Sequence, residues 1–152
     1  MVSSPLMMKK LFTAFICILG FSQCSNKVYS LDNLPNQFIE IGSYGGFAGT
    51  SKTYYFFPNG QRFLHSGVMG GDKETREIEK LKPKAFKSLL KGLNKMDFGG
   101  MSLSETGNMN YFIRIKDKKE ENKVQWTNMD TAPEALVSFY RETLKNINKA
   151  TN

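Results

Sequence analysis

The sequence predicts an α+β domain: an antiparallel sheet of about four to five strands with two amphipathic helices packed on one face. Three observations carry this expectation. Short aromatic and β-branched runs bounded by Gly, Pro and Asn recur in the first half of the chain and again from Tyr111. Two longer stretches instead space their apolar residues by three and four, as one face of a helix requires. The 152 residues, with a 40% apolar fraction, amount to about one domain and can bury a core.

The elements follow in order. Phe38, Ile39, Ile41 and Tyr44 bracket Glu40 and Ser43 in a β-prone stretch that ends at Gly45-Gly46. Thr53-Tyr54-Tyr55-Phe56-Phe57 is the strongest strand signal in the chain. Pro58-Asn59-Gly60-Gln61 then supplies a Pro with φ fixed at about −65° and an Asn-Gly pair that tolerates positive φ. Arg62-Phe63-Leu64-His65-Ser66 returns as the hairpin partner, and Gly67-Val68-Met69-Gly70-Gly71-Asp72 reads as a loop. The charged stretch 73–82 has no clear assignment, although Arg76-Glu77-Ile78 could form a short strand. Pro83 suits a first helical turn, and Ala85, Phe86, Leu89, Leu90, Leu93 and Met96 form an apolar stripe opposite Lys84, Lys87, Lys91 and Lys95. Gly99-Gly100 ends that helical region after Phe98. Beyond a polar loop at 101–110, the alternating runs 111–116 and 123–127 flank the charged segment 117–122 and predict a second hairpin. Thr131 and Glu134 have capping-box spacing, with Pro133 in the first turn and Leu136, Val137, Tyr140, Leu144 and Ile147 on one face of the last helix.

The N-terminus reads as an address. Met8-Lys9-Lys10 precedes the apolar run 11–19, the parts of a secretory signal. That run is shorter than the ~20 residues a membrane span needs. The competing reading, a buried helix of the fold, is opposed by the two lysines on the required side. Phe21-Ser22-Gln23-Cys24 resembles a bacterial lipobox, in which the Cys becomes the lipidated first residue of the mature protein. Gln23 departs from the small residue preferred there, and cleavage after Ser22 is the alternative. Ser25-Asn26-Lys27 suits the polar tether of a lipoprotein. The expected organisation is a signal peptide at 1–23, a tether at 24–37 and a single globular domain at 38–149. The expected location is the cell envelope, anchored to the membrane through Cys24, or else the periplasm or medium as a soluble protein. Loss of Lys9 and Lys10 leaves 19 basic against 14 acidic side chains, so the net charge falls from +7 to +5.

Little in the mature chain points to catalysis. One His and two Cys leave no material for a zinc finger, a multi-His metal site or a disulfide framework, and no cofactor is expected. A Ser-His-Asp arrangement would need His65 as its base, and no spacing picks out a nucleophile. Glu77 with Glu79, and Glu120 with Glu121, lie in solvated charged runs. The reading is therefore not an enzyme. Aromatic strands in a basic chain could bind nucleic acid, but export and the strand order argue against it. The Lys face of the first helix reads as solvated, and secondarily as attractive to anionic lipid or polysaccharide.

Gly45-Gly46-Phe47-Ala48-Gly49 is the most distinctive string. A phosphate-cradling loop would need Lys and Ser or Thr directly after the last Gly and a helix behind them; here Thr50-Ser51-Lys52 leads into a strand. Two readings stay open. The glycines allow a tight connection through positive φ, or the loop presents Phe47 to a partner.

Strand, Gly45-Gly46-Phe47-Ala48-Gly49, strand resembles the signature of emfourin-type proteins, small inhibitors of protealysin and related thermolysin-type metallopeptidases. The later order is similar: an amphipathic helix ending near Phe98, Tyr111-Phe112-Ile113, Val124-Gln125-Trp126-Thr127, and a Leu-rich helix after Pro133. The resemblance covers roughly 39–147, and the five-residue string is its specific part. The hairpin and loop at 58–81 and the leader depart from the compact family. The resemblance implies that Gly45, Gly46, Phe47, Ala48 and Gly49 approach a metallopeptidase, with Phe47 as apolar anchor. The alternative is a structural or accessory envelope lipoprotein without inhibitory activity, bound to another envelope protein. The sequence carries no signal for oligomeric state.

Overall fold

The computed structural model describes residues 27–149, so the signal run, the lipobox and Cys24 lie outside the described residues. The elements are β1 (Gln37–Gly45), β2 (Thr50–Phe56), β3 (Arg62–Val68), β4 (Lys73–Ile78), α1 (Pro83–Lys95), a 3-10 turn (Phe98–Gly100), β5 (Met109–Asp117), β6 (Glu120–Trp126) and α2 (Glu134–Lys149). The strands form one sheet in the order β4-β3-β2-β1-β5-β6. Every neighbouring pair is antiparallel. The class is α+β, with six strands rather than the expected four to five.

The extra strand is β4. Lys73, Glu74, Thr75, Arg76 and Glu77 are all exposed, because β4 sits at the sheet edge. A strand buried on neither face has no apolar alternation to betray it, and its charges guard an open edge. The second hairpin is also tighter than the charged segment 117–122 suggests. Only Lys118 and Lys119 separate β5 from β6, with Lys118 in the left-handed region at φ 58°. α1 stops at Lys95 rather than at the glycines. Asp97 takes φ 53°, and the chain then tightens into the 3-10 turn. β1 opens at Gln37, one residue inside the expected tether.

Register explains the core. Ile39 lies opposite Phe56 on one side and Ile115 on the other. Ile41, Tyr54, Leu64, Ile113 and Val124 form the next row across five strands. Side chains opposite one another share a pleat face, so these residues make one apolar surface. They share a cluster with Phe86 and Leu93 of α1, Phe98, Trp126, and Leu136, Tyr140 and Ile147 of α2. Each large apolar side chain buried there contributes about 1.5–3 kcal/mol. Trp126 packs edge-on against Tyr140 at 5.4 Å. The Tyr140 hydroxyl donates to the carbonyl of Gly42 at 3.4 Å, and burial pushes its pKa up to about 12.

The residues ahead of β1 are tied to the β2–β3 turn. The Lys27 carbonyl accepts from Asn59 Nδ2 at 2.6 Å, and the Tyr29 amide donates to Gln61 Oε1 at 2.8 Å. The Tyr29 ring meets Phe57 edge-on at 5.5 Å. Gly60 is required here by close approach. Its φ is +87°, and a Cβ would stand 2.1 Å from the Leu81 carbonyl oxygen, whose own amide donates back to Gly60 at 2.9 Å.

Candidate functional site at the hairpin tip

The connection between β1 and β2 is residues 46–49, with Gly45 as the last residue of β1. Gly45, Gly46 and Gly49 all take positive φ, at 109°, 73° and 56°. Gly49 N–H donates to the Gly46 carbonyl at 3.0 Å, closing a tight turn. Two contacts from outside the hairpin hold it. Gly46 N–H donates to the Asn108 carbonyl at 2.7 Å, and Met69 N–H donates to the Gly49 carbonyl at 2.7 Å. A Cβ on Gly45 would stand 2.1 Å from the Asn108 oxygen, so only glycine fits.

The first reading of the string, a tight connection through positive φ, is the observed one. The glycines serve the turn, and the turn leaves Phe47 fully in solvent, with a relative exposure of 109%. Ala48 is exposed beside it. The β3–β4 loop adds neighbours the sequence reading did not connect with Phe47. Thr50 is the register partner of Val68, and Val68 and Met69 are 50% and 49% exposed. Three of the four exposed large apolar side chains among the described residues thus lie at two adjacent connections, Phe47 and Met69 in the loops and Val68 as the last residue of β3. The signal is present in the sequence: Val68-Met69, like Phe47, is apolar residue flanked by glycines.

The pleat face opposite the core carries a different feature. Glu40, Tyr44, Thr53, Phe112, Arg114 and Lys123 line a shallow groove of about 400 Å³. Arg114 donates through Nη1 to Glu40 at 2.9 Å and through Nε to Glu121 at 2.8 Å, while its guanidinium stacks over Phe38 at 5.1 Å. Lys123 stands over Phe112 at 4.9 Å, and the Tyr44 hydroxyl donates to Gln125 Oε1 at 3.0 Å. Burial pushes the Glu40 carboxyl above its ordinary range, and Arg114 only partly offsets this. Glu40, Arg114 and Glu121 thus satisfy one another as a brace across β1, β5 and β6, while Lys73 and Lys123, which also line the groove, form no salt bridge among the described residues.

His65 is half-buried in β3, with Nδ1 2.7 Å from Thr75 Oγ1 in β4. Among the described residues no group of three His, Cys, Asp or Glu stands close enough to hold a metal ion, and no helix is long and apolar enough to cross a membrane. No protein-family model matches the chain, and no curated protein matches it.

Proposed function

We propose that the protein is an exported binding module, held at the bacterial cell envelope by a lipid on Cys24, that engages a protein partner through its β1–β2 tip. The supporting observation is Phe47, a phenyl ring wholly in solvent on a turn braced from two sides. Folding gains nothing from such a ring, whereas burying it against a partner is worth about 1.5–3 kcal/mol. Val68 and Met69, exposed at the adjacent connection, would add apolar area to such a contact. In this reading both helices lie on the core face of the sheet, and neither covers the tip.

The partner we propose is a thermolysin-type metallopeptidase, following the emfourin-like string at 45–49. The module contributes no catalytic group and needs no cofactor. β1 supplies the spacing for an anchored inhibitor. Residues 27–29 lie at the β2–β3 turn, while the tip lies at the other end of a nine-residue strand. At about 3.3 Å per residue the two ends are roughly 30 Å apart, so a lipid on Cys24 leaves Phe47 pointing away from the membrane.

The test is inhibition. The exported protein slows peptide cleavage by a thermolysin-type peptidase, and Phe47→Ala raises the inhibition constant by about tenfold or more. Absence of inhibition across a panel of such peptidases overturns the assignment. Capture of a different envelope protein in a Phe47-independent manner would support the accessory-lipoprotein reading instead.

A further inference from the structure

α1 is a helix of one charge. Its thirteen residues include Lys84, Lys87, Lys91 and Lys95 and no Asp or Glu. At 3.6 residues per turn the four lysines fall within an arc of roughly 80° and a length of about 16 Å, opposite Phe86 and Leu93 in the core. All four are exposed, and none forms an ion pair among the described residues. Lys80 and Lys82 lie just ahead of the helix, Lys82 exposed and Lys80 within 3.7 Å of Glu77. This distribution works against folding. Lys82 at the N-cap and Lys84 in the first turn face the positive end of the helix dipole, where an acidic residue would be favourable, and the first turn has none.

The position of α1 in the fold gives the charge a direction. Leu81, just ahead of α1, is hydrogen-bonded to Gly60 in the β2–β3 turn. Just beyond α1, the carbonyls of Phe98 and Met101 accept from Asn122 Nδ2, close to the β5–β6 turn. Both turns lie at the end of the sheet where β1 begins, since Gln37 pairs with Asp117 and Ile39 with Phe56. Lys118 N–H donates to the Asn36 carbonyl at the same end. Lys27 and Val28, the first described residues after Cys24, are exposed there too. The lysine helix therefore flanks the end from which the N-terminal tether leaves, while the apolar tip occupies the far end.

We infer that the lysine stripe of α1, together with Lys27, Lys80 and Lys82, is a docking face for anionic lipid headgroups. The stripe seats the tether end on the membrane and turns the Phe47 tip outward. The inference rests on the export reading above, but it concerns a different surface from Phe47. Loss of inhibition without loss of lipid preference, or the reverse, therefore tells the two apart.

The experiment measures partition of the protein, as the cell exports it, between vesicles of pure phosphatidylcholine and vesicles containing phosphatidylglycerol. The ratio of the two cancels any acyl chain or apolar contact, so it reads charge alone. Wild type prefers the anionic vesicles, and the preference collapses in 1 M salt, where the Debye length falls to about 3 Å. At about fivefold per lysine removed from an anionic surface, Lys87→Gln with Lys91→Gln lowers the preference by about 25-fold. Lys52→Gln with Lys73→Gln, the same charge change near the tip, leaves it within about threefold of wild type on the same scale. Thermal unfolding of each variant confirms that the fold is intact. Equal partition of wild type between the two vesicles overturns the inference, as does equal loss in the two double variants. Preference for a soluble anionic polysaccharide over the anionic vesicles overturns the lipid assignment.

Discussion

Gly45→Ala and Gly49→Ala each add a single methyl group, yet the two substitutions separate cleanly on geometry. Gly45 has φ 109°, outside the left-handed well that L residues visit, and a backbone there costs about 1–3 kcal/mol. Its new Cβ would stand 2.1 Å from the Asn108 oxygen, which already accepts from Gly46 N–H at 2.7 Å. Relieving that collision breaks the hydrogen bond, worth about 0.5–1.5 kcal/mol net. The expected loss is about 2–4 kcal/mol. Gly49 has φ 56°, inside the left-handed well, and a Cβ there meets nothing within 4 Å. Its loss is about 1 kcal/mol. In urea, with a slope of about 2 kcal/mol per M for a domain of this size, Gly45→Ala lowers the unfolding midpoint by about 1–2 M. Gly49→Ala lowers it by about 0.5 M on the same slope. Equal midpoints, or a larger effect at Gly49, would refute the claim that Asn108 clamps the tip.

Three further outcomes follow from burial and charge. Phe47→Ala leaves stability within about 0.5 kcal/mol of wild type, because the ring touches solvent alone; a drop above 1 kcal/mol in calorimetry would mean that it packs on the fold. Leu93→Ala, at a fully buried position facing the sheet, costs about 2–5 kcal/mol by the same measurement, and a cost below 1 kcal/mol would remove α1 from the core. Glu40 titrates above its ordinary 4.5 because burial outweighs the attraction of Arg114. The native state then holds this proton more tightly than the unfolded chain does. The stabilising contribution is complete below the unfolded pKa and is lost as pH rises through the native one. The stability of Glu40→Gln minus that of wild type therefore increases between acidic and neutral pH, and a flat or falling difference would contradict the shift.

What the sequence disclosed and what it hid divide along physical lines. The β2–β3 hairpin was readable because an aromatic run meets Asn59-Gly60, and local turn chemistry needs no tertiary information. α1 and α2 were readable because burial on one side forces the spacing of Phe86, Leu89 and Leu93, and of Leu136, Tyr140 and Ile147. β4 was readable only as a possible short strand at Arg76-Glu77-Ile78, since an exposed edge imposes no periodicity on Lys73–Ile78. Phe47 stood out as an apolar residue among glycines, but its neighbours depend on Thr50 pairing with Val68. That register is fixed by a hairpin and not by any local pattern. The Glu40–Arg114 pair spans 74 residues and links adjacent strands of the folded sheet, a proximity that neither residue's neighbours in sequence announce.

The choice of strand for the tip has its own logic. An edge strand would present a loop on a backbone paired along one side only, free to fray at its end. β1 is paired to β5 along all nine residues and to β2 along the seven from Ile39 to Gly45, and Phe38, Ile39, Glu40, Ile41 and Gly42 are buried in succession. Its last residue, Gly45, still lies opposite Thr50 and Met109, so the ladder runs to the base of the turn on both flanks. The Asn108 and Met69 hydrogen bonds then brace the turn itself from the β5 and β3 sides. Phe47 is thus carried by an interior strand paired on both flanks up to the turn, and little backbone entropy remains to be lost when a partner closes over it. Ordering a loop on binding is a cost that must be met from the same contact energy. A single exposed ring worth about 1.5–3 kcal/mol can act as an anchor only on a support that has already been ordered by folding.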